Sequence, residues 1–278
     1  MKGKLYIVAT PIGNIADISF RAVDILRSVH LIAAEDTRHS QRLLAHYGIT
    51  TPLMSYHQHN EAERIALLLQ RLKEGQDIAL ISDAGTPLIS DPGYPLVNAV
   101  KAAEFDVVPI PGACALITAL CASGMPASSF RFMGFLPAKT LQRQHYLERL
   151  REDEDTLIFY EAPHRIVEML QACQQSLGVR EYCLAKELTK HFETLKAGPV
   201  QDLIAWLEED PLRQQGEFVV IASPPVKQAQ ALSERATSLL EKLLPHLPLK
   251  LASQIVSETF GENKQDLYQH GLSKKSIV

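Results

Sequence analysis

Short apolar runs alternate with amphipathic stretches through the N-terminal part of the chain. Leu5-Tyr6-Ile7-Val8-Ala9, Leu31-Ile32-Ala33-Ala34, Ile78-Ala79-Leu80-Ile81 and residues 106–110 have the length and composition of buried parallel strands. Between them the apolar positions fall at helical spacing. Ala22, Val23, Leu26 and Val29 share one side of residues 19–29, and Ile65, Leu68, Leu69 and Leu72 share one face of a helix that ends near Gly75. Asn60 and Glu63 have the spacing of a capping box at that helix's start. A further helix is predicted over 94–104. Strand and helix in regular alternation predict a mostly parallel sheet with helices on its faces.

Pro109-Ile110-Pro111-Gly112 marks a boundary. Residues 113–123 are small and apolar, as suits a helix packed closely against a neighbour or a ligand. Strands are predicted at 130–135, 156–160, 182–185 and 218–222, with an amphipathic, rather basic helix over 140–151. The second part therefore also reads as α/β. After Ser223-Pro224-Pro225 come three short helical stretches, 233–244, 249–260 and 264–270, separated by Pro245, Pro248 and Gly261. The expected organisation is an N-terminal α/β domain (1–112), a second α/β domain (113–225) and a helical appendage (226–278). That appendage is similar to helix-turn-helix modules. A tail that docks on the body or mediates self-association fits its composition equally well.

The candidate chemistry lies at strand ends. Residues 82–93 carry Ser82, Asp83, Gly85, Thr86, Pro87, Ser90, Asp91, Pro92 and Gly93 directly after an apolar strand. Gly and Pro at that density fix a convoluted loop with backbone groups open to a ligand. In open α/β sheets ligands sit beyond the carboxyl ends of strands. Glu35-Asp36-Thr37-Arg38, Glu161-Ala162-Pro163-His164-Arg165 and Lys186-Glu187-Leu188-Thr189-Lys190 follow other predicted strands. No Walker loop and no GxGxxG fingerprint is present, which disfavours the common nucleotide folds. His57 and His59 have no third ligand at useful spacing, so polar loop residues facing a substrate are favoured over a metal site.

Composition narrows the class. With 278 residues, 46% hydrophobic and 22% charged, the chain has material for a sizeable core and reads as two domains with an addition. No run approaches the ~18 apolar residues of a membrane span, and the apolar run at the start leads into a turn rather than a cleavage site. A net charge of −4 argues against non-specific coating of nucleic acid and leaves room for a local basic face. The cysteines (Cys114, Cys121, Cys173, Cys183) form no CxxC pair. Cys114 and Cys121 are expected as buried structural thiols, and the compartment as cytoplasmic.

Thr10-Pro11-Ile12-Gly13-Asn14, Ala34-Glu35-Asp36-Thr37-Arg38, Ser82-Asp83-Ala84-Gly85-Thr86-Pro87, Ser90-Asp91-Pro92-Gly93 and Pro111-Gly112 occur in one order and spacing. So do Gly134-Phe135-Leu136-Pro137, Phe159-Tyr160-Glu161, His164-Arg165, Lys186-Glu187-Leu188-Thr189-Lys190 and Gly216-Glu217. Together these motifs, spanning essentially the whole chain, closely resemble the ribosomal RNA small subunit methyltransferase I family of the tetrapyrrole methylase superfamily. The resemblance implies two unlike α/β domains with S-adenosylmethionine (SAM) in the cleft between them, usually in a homodimer. It implies 2′-O-methylation of a cytidine in the decoding region of 16S rRNA, within the small ribosomal subunit, with no metal.

By the same matching the cofactor pocket takes Pro11, Ser82, Ala84, Gly85, Thr86 and Ile89 from the first domain. Cys114 and Ala115 follow the domain junction, Tyr160 and Glu161 follow a strand, and Leu188, Phe218 and Val219 complete the pocket. The superfamily's Gly-Asp-Pro element appears here as Gly85-Thr86-Pro87, so Thr86 stands where an acid is usual. Asp91, Lys186 and Glu187 are the candidates for a general base. Asp36, Arg38, His57, His59 and Arg165 are the candidate substrate contacts. Phosphate contacts are sought among Arg38, Arg42, Arg131, Lys139, Arg143, Arg165 and the tail lysines, while Tyr56 is either a stacking or a core residue. Two rivals stay open: a small-molecule, tetrapyrrole-type methyltransferase, and a non-catalytic SAM-binding or ribosome-assembly protein.

Overall fold

The computed structural model describes residues 2–226 and 232–275. Met1, residues 227–231 (with Lys227 of the appendage) and 276–278 lie outside the described residues. Residues up to Pro225 form one compact unit and those from Val226 a second.

The first unit opens with β1 (Leu5–Val8), α1 (Phe20–Ser28), β2 (Leu31–Ala34), α2 (Thr37–His46), β3 (Leu53–Ser55), α3 (Glu61–Lys73), β4 (Ile78–Ile81), α4 (Tyr94–Ala102) and β5 (Val107–Ile110). The strands form one parallel sheet in the order β3-β2-β4-β1-β5. Alternate residues feed two cores, because successive side chains of a strand point to opposite faces. Ile32, Ala34, Ala79 and Ile81 pack on α1 and α2 through Ala22, Leu26 and Leu44. Leu31, Ala33, Ile78 and Leu80 pack on α3 and α4 through Leu68, Leu72, Leu96 and Val100. Each fully buried Leu or Ile here contributes roughly 1.5–3 kcal/mol. Helix starts are fixed locally: Ser19 accepts from the Ala22 amide to begin α1, and Asp36 from the Arg38 amide to begin α2.

The chain continues with α5 (Ala115–Ala122), β6 (Phe130–Phe135), α6 (Thr140–Glu148), β7 (Thr156–Glu161), α7 (Ile166–Ser176), β8 (Glu181–Lys186), β9 (Thr194–Pro199), α8 (Val200–Glu208) and β10 (Phe218–Ala222). These strands make a second sheet, β6-β7-β10-β8-β9, in which only β6 and β7 run parallel. Its odd and even positions are again both buried. Leu157, Phe159, Tyr182, Leu184 and Val220 face α6, α7 and α8. Ile158, Cys183, Ala185, Val219 and Ile221 face α5, Ile12 and Leu188. The whole is an α/β fold of two unlike sheets. No helix among the described residues is long and apolar enough to cross a membrane.

The second unit holds α9 (Glu234–Leu243), α10 (Leu249–Phe260) and α11 (Lys264–Lys275) around Ala236, Leu240, Ala252, Val256 and Leu267. Gly261, at φ 71°, ends α10 in the left-handed conformation that glycine adopts without a Cβ penalty. α11 runs past the expected end at 270.

Several local expectations fail. Asn60 does not cap α3 with its side chain: its Oδ1 accepts from the His57 amide at 2.9 Å and its Nδ2 donates to the Ser55 carbonyl. Cys121 is exposed and Cys114 half-buried, because α5 buries Leu116, Ala119 and Leu120 instead; Cys173 and Cys183 are the buried thiols. Tyr56 is a core residue whose hydroxyl donates to Glu61 at 2.9 Å.

Candidate active site

The β4–α4 loop leaves the sheet beside β1, between strands whose chains go on to opposite sides of the sheet. Such switch points open a crevice. Thr10, just past β1, and Gly85 bond to each other twice, amide to carbonyl, at 2.8 and 3.1 Å. Gly85 takes φ 83°, and a Cβ there would lie 3.2 Å from Ile12 Cγ2. Leu88 and Ser90 also hold positive φ, a conformation that costs non-glycine residues about 1 kcal/mol or more each and persists only where packing imposes it. Thr86 Oγ1 donates to the Ala113 carbonyl at 3.0 Å, tying the loop to the chain leading into α5.

This loop forms one wall of a cavity of about 370 Å³, a size common for small-molecule sites. The opposite wall comes from the second sheet. Tyr160 packs edge-on against Phe132 and Phe135, and its hydroxyl accepts from the Leu116 amide at 3.1 Å. Glu161, whose side chain is fully buried, accepts the Ala162 amide on Oε1 at 2.8 Å. Its Oε2 lies 3.3 Å from Arg165 Nη2 without a hydrogen bond. Burial pushes the Glu161 carboxyl above its ordinary range, against the pull of the Ala162 amide and Arg165. Asp91 is raised to about 6, by burial first and then by the charges of Glu35 and Asp83, while a Ser82 hydrogen bond opposes the shift.

Ala84, Gly85, Thr86, Ile89, Cys114, Ala115, Tyr160, Glu161, Leu188, Phe218 and Val219 all line this cavity. Pro11 and Ser82 do not. Ser82 lies buried under the loop, its carbonyl accepting from Thr10 Oγ1 at 3.2 Å. Asp91 lines the cavity, but Lys186 and Glu187 do not. Lys186 shares the strand parity of Tyr182 and Leu184, which face away from the cavity side of the sheet. Glu187 pairs with Lys190 at 2.8 Å and accepts the Glu217 amide at 3.0 Å. Its burial is outweighed by Lys190 and that amide, and its carboxyl stays below the usual range.

Asp36, Arg38, His57, His59 and Arg165 are also absent from the lining. Asp36 binds Arg38 at the start of α2, which holds its carboxyl at about 2. His57 and His59 sit past the end of β3, their rings 5.8 Å apart. Arg165 is committed to Glu161 and to the Leu136 carbonyl at 2.7 Å. Of the expected phosphate contacts, Arg143 is buried and bonded to Glu168, which takes it from the surface, while Arg131 is half-exposed and bonded to Asp153.

Ile12, Ser90, Phe135, Ala162, Pro163, Ala185 and Glu217 line the cavity without having been singled out as cofactor contacts. Most belong to strand-end motifs already noted, and position relative to the strand end was the available signal. Among the described residues, no group of His, Cys, Asp and Glu is placed to hold a metal ion.

A parallel sheet and a mixed sheet sharing one cavity define a tetrapyrrole methylase, and residues 4–204 match the family described as Tetrapyrrole (Corrin/Porphyrin) Methylases. Solved structures share the fold: a diphthine synthase (TM-score 0.63, 11% identity, 80% of this chain and 90% of that one), and the uroporphyrin-III C-methyltransferase of Thermus thermophilus complexed with S-adenosyl homocysteine (TM-score 0.54, 16% identity, 79% and 97%). Residues 230–275 match the RsmI C-terminal HTH domain. The chain is 53% identical to ribosomal RNA small subunit methyltransferase I of Pasteurella multocida (strain Pm70), over 98% of both chains. It is 48% identical to that of Escherichia coli O157:H7, over 99% of this chain and 96% of that one. The chain belongs to the ribosomal RNA small subunit methyltransferase I family.

Proposed function

We propose that this chain is a SAM-dependent methyltransferase that acts on the ribose 2′-hydroxyl of a cytidine in the decoding region of 16S rRNA, as a cytoplasmic homodimer. In this reading residues 1–112 and 113–225 are the two α/β domains that enclose the cofactor, and 226–278 is an RNA-contacting appendage. The observation that carries the reading is the cavity itself, mostly apolar yet lined by the buried carboxyl of Glu161 and the partly buried one of Asp91, in a chain alike over nearly its full length to enzymes named for rRNA methylation.

The cavity residues fit SAM. Ile12, Ile89, Leu188 and Val219 offer an apolar shelf for an adenosine, and the space over Gly85 exists because no Cβ occupies it. Glu161 Oε2, buried and without a hydrogen bond, is an acceptor for a polar hydrogen of the ligand. When bound, SAM supplies an electrophilic methyl on a sulfonium that leaves as a neutral thioether. The loop of residues 84–91 and the Tyr160 wall hold the reactants aligned, and such alignment accounts for roughly 7–11 kcal/mol in favourable cases. Asp91 alone among the three candidate bases faces the cavity, and its carboxylate oxygen takes the proton from the 2′-hydroxyl. A base near the working pH adds ~10²–10⁴-fold.

The test is methyl transfer from radiolabelled SAM to 30S subunits lacking the modification, with free 16S rRNA and a uroporphyrinogen alongside. Label recovered as a 2′-O-methylcytidine supports the reading; label on the tetrapyrrole alone, or on nothing, overturns it.

A further inference from the structure

The pairing of β6 with β7 slips by one residue. Phe132 stands opposite Ile158, whereas Gly134 stands opposite Phe159 and Phe135 opposite Tyr160, which leaves Met133 as an extra residue. Side chains alternate along a strand. Without the extra residue Phe135 would share the parity of Met133, which packs into the core beneath α6 and α7. With it, Phe135 falls beside Tyr160, on the side of the sheet that faces the cavity. Gly134 accommodates the slip at φ 65°, a conformation that glycine adopts at no steric cost. Bulges of this kind re-aim side chains next to active sites.

The re-aimed ring does not fill the core. Phe135 lines the cavity and is 55% exposed, so it stands at the rim. Its ring meets Tyr160 edge to face, the centroids 5.8 Å apart and the planes at 66°. That contact fixes the tilt of the ring and leaves more than half of the residue open. The other aromatic residues of the lining are less available: Phe218 is buried, and Tyr160 is half-buried with its hydroxyl bonded to the Leu116 amide. The remaining exposed lining residues, Ala84, Ser90 and Glu217, present no ring. The rim here also adjoins Asp91. A Cβ on Gly134 would lie 3.8 Å from Ser90 Oγ, so the β6 bulge approaches the β4–α4 loop, with Phe135 next along one and Asp91 next along the other.

We propose that Phe135 is the platform on which the base of the target nucleotide stacks while its ribose 2′-hydroxyl is held at Asp91. This rests on the proposed 2′-O-methylation of rRNA. A cavity of about 370 Å³ lies near the small end of ligand sites, which span roughly 300–1,000 Å³. The cofactor therefore occupies it and the nucleotide is met at its mouth. Proteins that recognise RNA take hold of unstacked bases, and aromatic side chains supply the surface. A base turned out of its stack loses a neighbouring π face, and Phe135 replaces it. Such stacking is tolerant of base identity, so Phe135 holds the nucleotide while selection among bases falls to hydrogen bonds.

The experiment is a cycle of two proteins and two substrates. 30S subunits are reconstituted with 16S rRNA carrying either the cytidine that the native chain labels or, at that position, an abasic ribose that keeps its 2′-hydroxyl. Methyl transfer from radiolabelled SAM is measured for the native chain and for Phe135→Ala, with S-adenosyl homocysteine affinity by calorimetry and oligomeric state by sedimentation. On the cytidine substrate Phe135→Ala is expected to lower kcat/KM about 5- to 150-fold, the range of one base–aromatic stack. On the abasic substrate the two proteins should agree within about twofold, as should their affinities for S-adenosyl homocysteine, because the lost partner is the base alone. Phe135→Tyr and Phe135→Trp keep a π face and should restore the rate on cytidine. An equal loss on both substrates overturns the proposal. So does a matching fall in S-adenosyl homocysteine affinity, which would make the ring a cofactor contact, or a change of oligomeric state, which would make it an interface residue. Those outcomes leave the proposed methylation standing. No RNA labelling by the native chain overturns both.

Discussion

The carboxylates of the two sheets live under opposite rules. At the carboxyl edge of the parallel sheet, Glu35, Asp83 and Asp91 gather without a paired cation, and Glu35 and Asp91 are held above their ordinary range. Around the mixed sheet several acids are paired: Glu187 and Glu217 share Lys190, and Glu168 holds Arg143, while Glu161, 3.3 Å from Arg165, is raised by burial all the same. Bonding to Arg143 lowers Glu168. Ion-paired acids are fixed anions that shape a wall, whereas unpaired, crowded ones can exchange protons near neutrality. In the proposed reaction the loop after β4 carries the base, and both sheets contribute to the binding surface.

The sharpest way to break this contrast is Asp91→Asn. Turnover is expected to fall by ~10²–10⁴-fold at neutral pH with SAM affinity within about twofold, read by single-turnover transfer and by calorimetry. An equal loss in Glu187→Gln would erase the distinction between the sheets. On the paired side, Arg143→Ala should destabilise the protein by about 2–4 kcal/mol, because it opens a cavity under α6 where a fully buried side chain stood. Arg143→Met, which fills the space without a charge, should be near neutral in a denaturant melt, since two guanidinium nitrogens there lack partners.

Gly85→Ala should weaken SAM binding about tenfold and cost about 1–2 kcal/mol, as expected for a Cβ at φ 83° pressed against Ile12. The smallest effect is one of sign. An acid whose proton affinity is raised by folding binds protons more tightly when folded, so its contribution to stability grows as pH falls through about 6 towards its unfolded value. Asp91→Asn should therefore raise stability by roughly 1 kcal/mol above neutral pH, after allowance for solvent at this half-buried group, and by nothing in acid.

Much of this was legible in the chain. The apolar run of β4 followed by a loop dense in Gly and Pro located the cavity, and alternating periods gave the parallel sheet. The direction of the second sheet's strands was not legible, because both its faces are buried and a doubly buried antiparallel strand is as continuously apolar as a parallel one. Lys186 and Glu187 were misjudged for want of parity: Cys183 and Ala185 face the cavity side, so Lys186 turns away, and Glu187 at φ 51° begins a turn. Arg143 carried a readable warning, since it shares a helical face with Leu147, four residues on, which is fully buried. Asn60 shows a competition that spacing alone does not reveal, its amide being drawn to nearby strand-end backbone before it can cap a helix.

The paired bonds between Thr10 and Gly85 have a thermodynamic consequence. They join two loops into one short stretch of ladder, so the floor of the cavity is set before any ligand arrives. Amide hydrogens at both residues should exchange with solvent slowly, like those of a strand interior. A cofactor settling there orders little chain, and its affinity is spared the entropy that a floppy glycine-rich loop would forfeit on closing.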